Sequence, residues 1–498
     1  MKPSIDQGPG RDSRSARLLR ALYSALIPGV GQLVAGARRR GLFLVGIFVV
    51  VSLAVVVVLS RGTDAILDLA VQPRVLMTLL FLNVVIMLVR MFAVLDAWMT
   101  GKAGSTRVAR SSRRETTLTG IGLALILFFC ITPHAIAGYY TAVSHDLLTS
   151  VFSGSSESST TSTLASTGLP GTEENPTAEP TSPLRPGNDE QLTILLIGTD
   201  EGRGRWSARA DSINIATVNL KTGNVAIIGI PRNMGEVPLG KKTAAALKKT
   251  TFNEIVNGLY TRALPHAEIA PEGGDPGAEA VKETAQLMLG IPIDYYAVVN
   301  MLGLVELVDA FGGVDVNVKT RLKVIHSSGL TEGDRGFIYY LDPGVHHLSG
   351  RQTLDFTRSR ADGYDYDRMQ RQRCVLLALL YQNGLGSLTL KFPKIARALE
   401  KNVKTDIPAD VLPRLVSLRG QIDTGQMIAL ALAPPDYISG SKANLYNIPN
   451  IPAIKAAVKS ILTDPDQWIA DHAQDSTQRN GARQNALEAL FDCYRVGK

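Results

Sequence analysis

Cysteine is scarce: three residues in a chain of 498 exclude a disulfide scaffold and any cysteine-rich zinc site. A GxxxxGK[ST] phosphate loop is missing, as are the kinase catalytic loop and the G-x-S-x-G nucleophile elbow. These absences take P-loop, protein-kinase and elbow-type serine-hydrolase chemistry out of consideration. His346 and His347 have no partner ligands at zinc spacing, so they read as surface residues. Lysine is absent from residues 354–373, LDFTRSRADGYDYDRMQRQR, where five arginines stand among four aspartates.

The charge is unevenly spread. Residues 1–140 hold 16 Lys/Arg against 6 Asp/Glu, and residues 141–498 hold 36 against 39. The basic pI therefore belongs to the N-terminal part and does not signal nucleic acid; an excess of three acids in the rest excludes direct DNA contact there. Residues 41–60, 75–95 and 117–138 are three apolar runs long enough to cross a bilayer as helices. Arg90, near the end of the second run, is expected to snorkel to the interface. A cleaved signal peptide does not fit three successive spans with basic flanks. Arg38–Arg40 and the cationic loop at 99–116 place the N-terminus in the cytoplasm and everything after residue 140 outside. Residues 21–36, interrupted by Pro28 and glycines, read as interfacial or re-entrant; a full span there would change the parity. Cys130 lies in an apolar run. Cys374 and Cys493 can pair if their part of the chain is extracellular, but one sequence does not establish proximity.

Residues 153–188 are Ser/Thr/Pro-rich and too poor in large apolar side chains to form a core, so they read as a flexible spacer. The texture from residue 191 is α/β. TILLIGT (193–199) is a buried-type strand, and INIATVNL (213–220) with NVAIIGI (224–230) forms a hairpin about Lys221–Gly223. Residues 279–289, 301–311 and 367–382 have helical periodicity. The predicted divisions are a membrane region at 1–140, a linker at 141–190, a catalytic-sized domain at 191–463 and a C-terminal tail at 464–498.

The arginine-rich stretch has two readings. On an extended backbone Arg358 and Arg360 share a face; on a helix so do Arg368 and Arg371. Two pairs of planar, permanently charged forks suit a diphosphate, whereas four nearby aspartates also permit a solvated salt-bridge face. Asp200 and Asp211 bracket the loop GTDEGRGRWSARADS, with Arg209 two residues earlier than Asp211, and Arg232 follows the next strand in IPRN. Carboxylates at adjacent strand ends make a reasonable Mg²⁺ seat, and α/β ligand sites gather at such ends. Lys241, Lys242, Lys248 and Lys249 read as solvated.

The series LLIGTD, RADSI, IPRN, LGIPIDYYAVVNMLGLVELVDAFGGVDVNV, LSGRQTLDFTRSR and DYDRMQRQ resembles the LytR-CpsA-Psr (LCP) family over roughly residues 191–463. The resemblance implies a mixed β-sheet between helical layers, with a long apolar lipid pocket, preceded here by an α-helical transmembrane region. It implies transfer of a glycopolymer from a polyprenyl-pyrophosphate carrier to a peptidoglycan hydroxyl. Carried over, Asp200 and Asp211 hold Mg²⁺, while Arg209, Arg232, Arg358, Arg360, Arg368, Arg371 and Gln372 bind the pyrophosphate. Arg371, Arg209 and Asp211 are the catalytic candidates; Asp200, Asp211 and Asp365 are candidate bases. Helices at 279–289 and 375–380 are candidates to line the lipid pocket. Asn233, Thr251 and Asp367 depart from the family's usual aspartate, lysine and glycine. The competing functions are hydrolysis of a lipid-pyrophosphate sugar and non-enzymatic binding of a lipid carrier or wall glycan with a regulatory role.

Overall fold

The computed structural model describes residues 14–61, 71–100, 113–152, 191–201, 208–326, 336–360, 365–382, 385–412, 428–442 and 446–468, with single residues at 69, 415 and 471. The spacer at 153–188, most of the basic loop at 99–116, most of the tail at 464–498 and Cys493 lie outside the described residues. The chain divides into two compact units, residues 1–148 and 149–498.

The first unit is helical. Arg38–Ser60, Pro73–Met99 and Thr117–Val151 are long and apolar enough to cross a membrane, matching the three apolar runs. Residues 21–36 do not form a fourth long helix. They fall in helices Arg14–Leu26 and Val30–Val34; even the longer one extends only about 20 Å. Gln32 is fully buried and accepts from Ser24 Oγ at 2.7 Å while donating to the Ala93 carbonyl at 2.8 Å. Arg90 has a hydrogen-bond partner within this unit. Its Nη2 donates to the Ala25 carbonyl at 2.6 Å, in the last turn of helix 14–26, where carbonyls without helical partners favour a cation.

In the second unit β1 (Gln191–Thr199), β2 (Ala210–Asn219), β3 (Val225–Gly229), β4 (Tyr295–Val299), β5 (Val403–Thr405) and β6 (Ile428–Ala431) form one mixed sheet. Their spatial order is β5-β4-β1-β2-β3-β6. β1 runs parallel to β4 and β3 parallel to β6, while β2 is antiparallel to both its neighbours. The β2–β3 hairpin is the expected one, with Gly223 at φ 75° supplying its left-handed position.

Alternation along the strands separates two layers. Leu195, Ile197, Ile213, Ile215, Tyr296 and Val298 face a core closed by helices Asn257–Ala263, Pro276–Leu289 and Ile451–Thr463. Helices Met301–Phe311, Gly350–Arg358, Asp365–Gln382 and Leu385–Asn402 lie on the other side. A mixed sheet between helical layers is therefore the fold. Helix 276–289 starts with Pro276 after an Asp275 cap and ends at left-handed Gly290. It packs in the layer away from the charged site, so the expectation that 279–289 lines a lipid pocket is overturned.

A second correction concerns TRSR. Arg358 ends a helix rather than lying in a strand, because Ser349 and Gln352 form a capping box that starts the helix at Gly350. Arg358 and Arg360 are thus separated by a helix terminus. Cys130 is free and buried, and Cys374 sits in a disulfide.

Candidate functional site

Three parallel strands deliver the site. Asp200 follows β1, Arg232 lies just beyond β3, and Asn300 follows β4, so all three gather at carboxyl ends. Asp211 comes from the opposite direction at the start of β2. The ladder pairs Gly198 with Ser212 and Thr199 with Ala210, which leaves Asp211 as the extra residue of a bulge. That bulge changes the phase of the strand. Ala210 joins the core below the sheet, while Asp211, Ser212 and Asn214 line a cavity above it. Asp200 Oδ1 accepts from the Arg209 amide at 2.7 Å, fixing the loop end that carries Arg209.

The cavity has a volume of about 680 Å³ and two chemically different ends. Asp200, Arg209, Asp211, Arg232, Arg358, Arg360, Arg368 and Gln372 form the charged end. Leu304, Leu307 and Phe311 from helix 301–311, with Val375, Leu376 and Leu379 from helix 365–382, form much of the apolar end. Of the two helical segments expected to line a lipid pocket, 375–380 contributes to this cavity and 279–289 does not.

Asp365 organises the arginines. Its carboxylate accepts a fork from Arg368, Nε to Oδ1 at 3.0 Å and Nη2 to Oδ2 at 3.1 Å. Arg360 Nη2 lies 3.3 Å and Arg232 Nε 3.5 Å from Oδ1. Arg232 Nη1 also donates to Asp211 Oδ1 at 2.5 Å, and Asn257 Nδ2 donates to the same oxygen at 3.2 Å. Arg368 is 3 % exposed and sends Nη1 to the Asp211 carbonyl at 2.8 Å. One carboxylate thus gathers three guanidiniums whose mutual repulsion would otherwise spread them.

Seven of the expected binding or metal residues therefore meet in one place with Gln372, and Arg371 stands apart from them. Its Nε donates to the Phe356 carbonyl at 2.9 Å, and its Nη2 donates to the Ser359 carbonyl. Burial pulls its guanidinium below the ordinary value, Asp367 opposes that pull and Arg368 adds to it. Arg371 is outside the cavity lining. It holds the end of the helix that presents Arg358, and so positions the site rather than forming its wall. A helical spacing of three turns two side chains about 60° apart, enough to send Arg368 and Arg371 to different partners.

Sequence reasoning missed Asn257, Asn300 and Met301. Asn300 caps helix 301–311 by accepting from Gly303 N at 2.7 Å, and Met301 Sδ receives Arg358 Nη1 at 3.1 Å. No spacing rule singles out an asparagine or methionine of this kind. Asp365 carries a signal, an acid three residues before Arg368 on one helix face, and its role toward the arginines is structural as well as that of a candidate base. His346 and His347 behave as surface residues: His346 Nε2 meets the Asp342 carbonyl and His347 Nδ1 meets Asp315, each at 2.6 Å. Among the described residues, no group of three or more His, Cys, Asp or Glu side chains is arranged to hold a metal.

Residues 156–457 match the model of the LytR_cpsA_psr family, more than half of the chain. Polyisoprenyl-teichoic acid–peptidoglycan teichoic acid transferase TagU of Bacillus cereus is 31 % identical over 232 residues, covering 46 % of this chain and 65 % of TagU. Biofilm regulatory protein A of Streptococcus mutans is 30 % identical over 237 residues, covering 46 % of this chain and 53 % of that protein. The match thus spans less than two thirds of either relative. The crystal structure of Bacillus subtilis TagV is 22 % identical, with 55 % of this chain and 96 % of that chain covered and a TM-score of 0.41. A structure of TagT bound to LIIa-WTA is 20 % identical, with 57 % and 93 % covered and a TM-score of 0.40. The chain belongs to the LytR_cpsA_psr family.

Proposed function

We propose that this protein transfers a glycopolymer from a polyprenyl-pyrophosphate carrier to a peptidoglycan hydroxyl. The carrying observation is one cavity that is charged at one end and apolar at the other. It matches a diphosphate attached to a hydrocarbon chain, to which each buried methylene contributes about 0.8 kcal/mol. The relatives' names point to a teichoic-acid-like polymer as the donor class.

In the reaction, the acceptor hydroxyl attacks the phosphorus nearer the polymer. A new P–O bond forms, the P–O–P bridge breaks, polyprenyl phosphate leaves, and the hydroxyl proton passes to a base. Arg209, Arg232, Arg358, Arg360 and Arg368 stabilise charge on the phosphoryl oxygens from positions set beforehand. Gln372 donates within the same site. The candidate bases are Asp200 and Asp211, which line the cavity, and Asp365, which lies behind its arginines.

Mg²⁺ belongs to the same proposal. Asp200 and Asp211 offer hard oxygen donors at the cavity edge, and Mg²⁺ commonly takes one or two carboxylates with water and phosphate oxygens. When bound, it would neutralise part of the diphosphate charge. Multi-pass anchoring in the plasma membrane, with the catalytic domain outside, completes the reading. It rests on the three apolar helices and on the basic flanks at 38–40 and 99–116. Cleavage within residues 153–188 by protease added to intact cells is expected; cleavage only after lysis would reverse the topology.

Purified full-length chain, incubated with a lipid-pyrophosphate oligosaccharide, peptidoglycan fragments and Mg²⁺, is expected to yield a coupled phosphodiester product that disappears with chelator. Release of phosphorylated sugar without coupling would make the protein a hydrolase. Binding without turnover would leave a non-enzymatic lipid or glycan binder. Filling the apolar end by Leu379→Trp is expected to weaken a long-chain polyprenyl donor about tenfold while sparing a geranyl analogue, as loss of about two buried methylenes implies. Equal effects on both donors would remove the tail from that end.

A further inference from the structure

Arg373 follows Gln372 on helix 365–382 but turns away from the cavity face. Its side chain is 2 % exposed, and among the described residues its Nε and Nη1 have no hydrogen-bond acceptor. Burial alone acts on its charge, pulling the guanidinium down to about 10, so it stays cationic at neutral pH. A buried cation without a partner is costly to a fold, and proteins ordinarily pair such a group or replace it by an apolar one.

Its location connects it to the site. At Gly229 an added Cβ would approach Arg373 Nη1 to 2.7 Å and Asn214 Oδ1 to 3.3 Å. Glycine at 229 therefore leaves the space in which the guanidinium lies against β3. Asn214 pairs with Gly229 across β2 and β3 and lines the cavity. Asn214 thus borders both the space of Arg373 and the cavity, at whose charged end Asp365 and Asp211 are already engaged with Arg232, Arg360 and Arg368.

We infer that the counter-charge of Arg373 is the anion bound in the cavity, so that Arg373 is a positioning residue acting on the diphosphate from behind Asn214. This inference rests on the proposed diphosphate-carrier reading. Among the described residues Arg373 is a buried positive charge without a counter-charge, and binding an anion relieves it. Within roughly 10 Å and at an effective dielectric of about 20, a charge pair changes an equilibrium by about tenfold. Substrate affinity and fold stability are thereby linked through a side chain that never touches substrate.

The test uses the full chain in detergent, with geranyl pyrophosphate as probe, and reads both thermal unfolding and affinity. Wild-type protein is expected to melt higher with the probe. Arg373→Met is expected to melt higher than wild type without probe, to gain less from it, and to bind it about tenfold more weakly. Arg373→Lys, which restores a charge, is expected to return affinity to within a few-fold of wild type. Wild-type affinity in Arg373→Met would overturn the inference while leaving the diphosphate site standing. Failure of both variants to fold without probe would overturn it too, making the guanidinium purely structural. A wild-type protein unaffected by the probe would instead overturn the underlying diphosphate reading, and this inference with it.

Discussion

Asp365→Asn is expected to melt lower than wild type, because buried Arg368 loses its counter-charge, and to lose about 100- to 1,000-fold in turnover, the scale associated with losing a preorganised charge-stabilising contact. The carboxylate takes the Arg368 fork at 3.0 and 3.1 Å and has Arg360 and Arg232 at 3.3 and 3.5 Å. An amide of the same shape removes the charge that gathers these guanidiniums and directs an N–H₂ group at other donors. Three cations then repel one another, and the preorganisation of the charged end is lost before any substrate arrives. Initial rates of phosphodiester formation, measured beside the melting temperature, check the expectation. Activity within threefold of wild type would show that the arginines do not depend on this anion.

Arg371→Ala is expected to reduce turnover at least 100-fold as well, but by another route and with a lower melting temperature. Its guanidinium joins the carbonyls of Phe356 and Ser359, which flank Arg358. Without it, two acceptors at the end of helix 350–358 lose their donor, at about 1–3 kcal/mol for each one left unsatisfied. Lysine should not rescue the variant, since one ammonium does not reproduce a planar fork held between two acceptors. Full activity together with an unchanged melting temperature would remove Arg371 from both site and scaffold.

These two residues mark where sequence reading succeeded and where it stopped. Long apolar runs declare membrane-length helices by length alone, and alternation in TILLIGT and INIATVNL declares strands because one face of each had to be buried. The arginines were legible as a group because five of them fall within residues 358–373, so short a stretch that few of their side chains can avoid one another. Their partners were not. TRSR alternates as a strand would, but the capping box at Ser349 outweighs that pattern and winds the segment into a helix. The helix at 279–289 has the same apolar periodicity as the one lining the cavity; which layer each joins depends on chain crossovers. Asn257 reaches Asp211 across 46 positions of sequence, a pairing that no local spacing encodes.

The irregularity in β2 has an evolutionary consequence. A chain lacking only Asp211 would zip β1 to β2 without interruption and is expected to keep its sheet, since a regular ladder is no less favourable than a bulged one. What such a deletion forfeits is the acceptor shared by Arg232, Asn257 and Arg368, so a demand on the charged end rather than on strand pairing would preserve the extra residue.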